Sequence, residues 1–88
     1  MRYMIEYSMR PEHRDVATAR FQETGGLPPE GATMVDRWHR IAGLGGFVLC
    51  ESEDPVAIGK WMQDWTDVLS FEITPVISDE EITEVLGG

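Results

Sequence analysis

The sequence predicts an α+β fold in which strands and helices follow one another as βαββαβ, with a short helix at the C-terminus. Three observations carry that prediction. Apolar and polar residues alternate in short runs near both ends of the chain, apolar residues recur at helical spacing after Pro11 and again after Pro55, and glycine and proline cluster between these segments.

The first strand covers residues 2–9, where Tyr3, Ile5, Tyr7 and Met9 alternate with Arg2, Met4, Glu6 and Ser8. A period of two is that of a strand with one buried face. Helix one follows in "RPEHRDVATARFQET": Pro11 stands at its start, Glu12 and Asp15 lie in its early turns, and Val16, Ala19, Arg20, Phe21 and Thr24 recur at helical spacing until Gly25 and Gly26 stop it. "GGLPPEG" is a loop, because so many glycines and prolines neither extend a helix nor fill a strand. The second strand runs from about residue 32 to residue 40. "AGLGG" joins it to a third strand, "FVLCES", as a hairpin. Asp54 is a natural N-cap and Pro55 a natural first helical residue for helix two, whose Ile58, Trp61, Met62, Trp65 and Leu69 fall on one side. In "LSFEITPVIS", Phe71 and Ile73 alternate with Ser70, Glu72 and Thr74, and Pro75 either places this last strand at a sheet edge or ends its regular ladder there. "DEEITEVLGG" reads as a short acidic helix capped by Ser78 or Asp79.

No linker or repeat divides residues 1–88, so one domain is expected. The element order is that of a ferredoxin-like βαββαβ sandwich, a four-stranded antiparallel sheet with two helices on one face and the other face uncovered. Strict alternation puts Tyr3, Ile5, Tyr7, Met9, Met34, Trp38, Phe47, Leu49, Phe71 and Ile73 on the helix side, packed by Val16, Phe21, Trp61, Met62 and Trp65. Asp36 alone interrupts that layer. The uncovered side then receives Met4, Glu6, Ser8, Val35, Arg37, His39, Val48, Cys50, Ser52, Glu72, Thr74 and Val76. This set mixes apolar groups with charges of both signs, which suits neither a fully solvated face nor a dry core. A partly enclosed cavity lined by polar groups satisfies both.

With 42% hydrophobic and 26% charged residues the chain has the composition of a globular protein. A net charge of -9, with seven basic residues that are not clustered, excludes nucleic acid and disfavours anionic membranes. No apolar run approaches the length of a membrane span, and "MRYMIEYSMRPEH" lacks the apolar stretch of a signal peptide. Cys50 is the lone cysteine, so no intrachain disulfide forms and a reducing, cytoplasmic setting is expected. A domain this small buries only roughly 60 to 65% of the surface its unfolded chain exposes, so a further interface would stabilise it.

The stretches "GGLPPEG", "DRWHRIAGLGGFVLCES", "WMQDW" and "FEITPV" together resemble a family of short bacterial proteins catalogued as a domain of unknown function, whose members are similar to the dimeric α/β-barrel superfamily. The resemblance covers nearly the whole chain. It implies two ferredoxin-like sheets meeting through their uncovered faces as a homodimer, with a cleft between sheet and helices or inside the barrel. That superfamily includes cofactor-free monooxygenases, lactone isomerases, haem-dependent enzymes and ligand-binding modules, so the fold selects no activity.

Among individual residues, His39 is the sharpest catalytic candidate, since an imidazole exchanges protons near neutral pH; Glu6 or Glu72 across the sheet would fix its tautomer. Arg37, assigned to the same face, would hold a carboxylate or enolate in a two-pronged grip. Glu6, Glu72, Cys50 and Trp38 complete the candidate ligand-binding set. The alternative for the four charged residues is an ion-pair network at a dimer interface. No ligand spacing points to a metal site, Cys50 lacks a sign of activation, "GLGG" lies in a hairpin rather than at a helix start, and His13 and His39 are the only imidazoles for a haem, so no cofactor is expected. Two functions stand: a small dimeric binding or accessory module with a small-molecule ligand, or a cofactor-independent monooxygenase or isomerase of a small acidic or aromatic substrate. Whether the chain is an enzyme is left open.

Overall fold

The computed structural model describes residues 1–87. Its elements are β1 (Arg2–Ser8), a 3-10 turn (Pro11–His13), α1 (Arg14–Thr24), β2 (Thr33–His39), β3 (Gly45–Glu51), α2 (Pro55–Gln63), β4 (Ser70–Val76) and α3 (Asp79–Val85). The strands lie in the order β2-β3-β1-β4, with each neighbouring pair antiparallel.

Local chemistry sets the boundaries. Gly25 adopts φ 74° and donates its N–H to Phe21 O at 2.7 Å, which closes α1 in the left-handed conformation that glycine takes at no steric cost. Asp54 opens α2, its Oδ1 accepting the Val56 N–H at 3.0 Å ahead of the Pro55 turn. Ser78, not Asp79, caps α3: its Oγ accepts the Glu81 N–H at 3.1 Å, and Glu81 Oε1 accepts the Ser78 N–H at 3.0 Å in return. Pro75 lies in β4, where an edge strand tolerates its missing donor.

The sheet is open. β2 and β4 are its two edges and the four strands do not curl into a barrel. The dimeric α/β barrel implied by the resemblance is therefore corrected to a four-stranded antiparallel sheet with helices packed against it. Closure requires the strand at one edge to pair with that at the other under a consistent stagger, and every pairing here runs between inner neighbours.

A second correction concerns the two faces. Directly opposed residues share a face, and Tyr3, Ile5 and Tyr7 oppose Cys50, Val48 and Gly46. Val48 and Cys50 thus point at the helices, while Phe47 and Leu49, expected in the core, lie on the uncovered side. In β2 the pairing with β3 slips between Met34 and Asp36, a bulge at Val35. Met34 stays on the helix side, but Asp36 and Trp38 now share the outer face with Leu49 and Phe47, and Arg37 and His39 turn inward with Val48 and Gly46. Gly45 and Gly46, expected in the turn, belong to β3.

The core joins Ile5, Val48 and Cys50 of the sheet to Ala17 of α1 and to Ile58, Trp61, Met62, Trp65 and Val68 in and after α2. Val16, expected to pack, is exposed. Ser52, expected on the uncovered face, is buried and bonds Gly31 O at 2.6 Å, which anchors the loop before β2. Arg20 fastens the helical layer: its guanidinium grips the Asp67 carboxylate through two 2.8 Å bonds, donates to Asp64 O at 2.7 Å and lies 5.3 Å from the Trp65 ring centroid. That grip holds the Asp67 carboxyl below its ordinary range. A carboxyl lowered by folding contributes stability above its unfolded pKa and loses it as pH falls through the folded value. Asp67→Asn should therefore melt below the wild type at neutral pH, with the gap closing as the medium is acidified through the carboxylate range; thermal melts of both proteins across pH check this.

Candidate functional site

Tyr7, Gly46 and His39 form one rung across β1, β3 and β2. With no side chain at its centre, the rung leaves a gap in which the Tyr7 ring lies. A Cβ on Gly46 would stand 2.6 Å from Tyr7 Cε1, 2.8 Å from Tyr7 Oη and against the Trp38 carbonyl oxygen. Across the gap the Tyr7 hydroxyl meets His39 Nδ1 at 2.5 Å. His39 also stands edge-to-face on Phe21 of α1, with centroids 5.6 Å apart and planes at 80°. One inward position back along β2, the Arg37 guanidinium lies 4.7 Å from the Phe21 centroid and its Nη1 donates to Gly26 O at 3.2 Å. Gly26, at φ +60°, suits this approach: a Cβ there would be 3.0 Å from that nitrogen.

Burial pushes the Tyr7 phenol above its ordinary value, with the Arg37 charge opposing the shift. The Tyr7 hydroxyl and His39 Nδ1 share one hydrogen bond, in which the phenol donates or accepts according to the imidazole tautomer. The bond engages Nδ1 and leaves Nε2 for another partner.

These groups border a cavity of about 250 Å³ between the sheet and the helices α1 and α2. Its walls include Ile5 and Val48 from the sheet, Ala17 and Phe21 from α1, and Trp61, Met62 and Trp65 on the α2 side; Tyr7, Arg37 and His39 supply its main polar groups. Such a container can hold an apolar body and meet one polar end.

Of the residues expected to form a site, the structure brings Arg37 and His39 together, on the helix side rather than the uncovered side. Glu6 and Glu72 stay outside, directly opposed on β1 and β4. Glu6 pairs with Arg40 at 2.8 Å, and the hydrogen-bond partner of His39 Nδ1 is Tyr7 rather than a glutamate. Trp38 lies outside too, 47% exposed beside Phe47. Cys50 is fully buried in the core, where burial pushes its thiol up and keeps it protonated. Tyr7 and Phe21 are accounted for by core packing at the level of sequence, and for Trp61 and Trp65, four residues apart, core packing is favoured there over an aromatic pocket for a flat ligand. The available signal was Gly46 itself, a side-chain gap in a strand. Among the described residues no group of His, Cys, Asp and Glu is placed to hold a metal ion, and no helix is long and apolar enough to cross a membrane.

A family model described as a domain of unknown function, DUF3303, matches residues 1–88. The chain belongs to that family. Among solved structures, this DUF3303 chain is similar to Rv0793 from Mycobacterium tuberculosis, with a TM-score of 0.53 at 12% identity over 89% of this chain and 96% of that one. At such identity the likeness is one of fold. No curated protein matches the sequence.

Two glycine replacements separate the roles of these positions. Gly46→Ala forces a methyl into the Tyr7 ring and should cost about 1–3 kcal/mol, the usual range for overpacking. Gly59→Ala, in α2 with open space around the added methyl, should instead stabilise by about 0.5–1 kcal/mol. Urea unfolding of the two variants against the wild type measures both.

Proposed function

We propose that this DUF3303 chain is a small-molecule-binding module whose ligand enters the cavity between the sheet and the helices. The cavity carries the reading: an apolar chamber with few polar groups, of which Arg37 and His39 lie against one aromatic ring, Phe21, and Tyr7 meets His39. At about 250 Å³ it lies above the roughly 150 Å³ in which an engineered protein cavity holds benzene and below the range of drug-sized sites, so one or two rings fit.

The alternative is cofactor-independent proton abstraction by His39, with Arg37 stabilising the oxyanion. Its base would be Nε2, since the 2.5 Å bond to Tyr7 engages Nδ1. That nitrogen accepts a proton only in the tautomer whose Nδ1–H is donated to Tyr7, and in the other tautomer it is itself a donor. Recognition of a ligand can use either tautomer, whereas base catalysis needs one of them, which favours the binding reading.

We further infer that a second copy covers the outer face, in a reducing, cytoplasmic setting that fits the lone buried Cys50. Support comes from Trp38 and Phe47, 47% and 37% exposed, with half-buried Met4 and Leu49 beside them. Aromatic residues and Met on an open face are the composition of an interface core.

Two measurements test these readings. Thermal shift against a panel of one- and two-ring compounds should raise the wild-type melting temperature by mass action, with the gain reduced in His39→Ala and Arg37→Ala; a panel without effect on a folded wild type would reject the cavity as a binding site. Light scattering should give twice the chain mass for the wild type and the chain mass for Phe47→Glu, and a monomeric wild type would reject the second copy.

A further inference from the structure

Sixteen carboxylate side chains stand against seven lysines and arginines in this chain, so a cation has no shortage of partners. Five arginines have taken one: Arg2 with Glu51, Arg10 with Glu12, Arg14 with Asp15, Arg20 with Asp67 and Arg40 with Glu6. Arg37 is the remaining arginine, and among the described residues no carboxylate lies within ion-pair distance of it. It is also the arginine that borders the cavity.

Its known contacts use little of its capacity. A guanidinium has five N–H donors in a planar fork, and one bond, to Gly26 O, is made here. Stacking on Phe21 fixes the plane of the fork without satisfying its edge. A half-buried cation beside an apolar chamber loses hydration that a paired anion would replace. The bulge in β2 turns this cation inward, away from Glu6, Glu72 and Asp36 on the outer face.

We propose that the cavity takes an aromatic monocarboxylate of one or two rings, its carboxylate on the fork of Arg37 and its ring among Phe21, Trp61 and Trp65. This rests on the cavity reading above and adds the charge of the ligand to it. A single guanidinium matches the charge and flat shape of one carboxylate. A dianionic phosphate would call for further cations, and the overall charge of -9 repels multiply charged anions more strongly than single ones. His39 Nε2, left over from the Nδ1 bond to Tyr7, lies on the same side of the chamber for a further hydrogen bond.

The test compares 2-naphthoate with its neutral isostere 2-naphthamide, followed by tryptophan fluorescence, on the wild type, Arg37→Gln and Arg37→Lys, with circular dichroism to show that each is folded. The wild type should bind naphthoate at least tenfold more tightly than naphthamide. Arg37→Gln should abolish that preference and Arg37→Lys keep part of it. Should Arg37→Gln not fold, the naphthoate-over-naphthamide preference of the wild type and its reduction in Arg37→Lys decide. Equal binding of acid and amide would overturn the anion assignment while leaving the cavity reading intact. Binding of neither, nor of neutral 2-naphthalenemethanol, would overturn both.

Discussion

Between Met34 and Asp36 the pairing of β2 slips by one residue, and the character of the cavity depends on that slip. Without it, alternation would carry Asp36 and Trp38 to the helices and leave Arg37 and His39 in the open. An unpaired carboxylate in an apolar layer is penalised by several kcal/mol, whereas a bulge on an edge strand disturbs a ladder that is already half unpaired. The slip sends Asp36 to solvent, where its Oδ1 accepts the N–H of Arg37 at 2.8 Å. A single extra residue thus converts an apolar ceiling into one with a cation and an imidazole in it.

Much of the fold was legible in the sequence, and the reasons are local. Pro11, Asp54-Pro55, Gly25 and Ser78 mark helix ends through geometry that each residue type carries with it, and Tyr3, Ile5 and Tyr7 alternate without ambiguity. β3 could not be phased in the same way: Phe47, Val48, Leu49 and Cys50 are all apolar, so either pair fits a core. In β2 strict alternation broke at Asp36, and that break was the visible trace of the bulge. Closure of the sheet came from resemblance alone, with no residue pattern behind it.

The site was half legible for a related reason. His39 and Arg37 stand out because charged groups in a short strand demand an explanation, while Tyr7 and Phe21 are accounted for by packing and Trp61 and Trp65 fit packing better than a pocket. Only their arrangement shows that they enclose space. Strict alternation in β2 puts His39 on the face of Glu6 and Glu72, and the bulge at Val35 moves it to the other. What the sheet separates is therefore informative: the acidic residues Glu6, Glu72 and Asp36 outside, and an arginine without a carboxylate inside.

Gly46 links residues that lie far apart in the chain. Position 7 holds a large ring because position 46 holds no side chain, and position 39 meets that ring because both flank the same gap. A methyl at position 46 would meet the Tyr7 ring and the carbonyl oxygen of Trp38 on the neighbouring strand at once, so a lineage that acquired one would have to move both the ring and the strand. Glycine at position 46 is thus the fixed member of the three, and the large ring at position 7 and its reach to position 39 are an inheritance that depends on it.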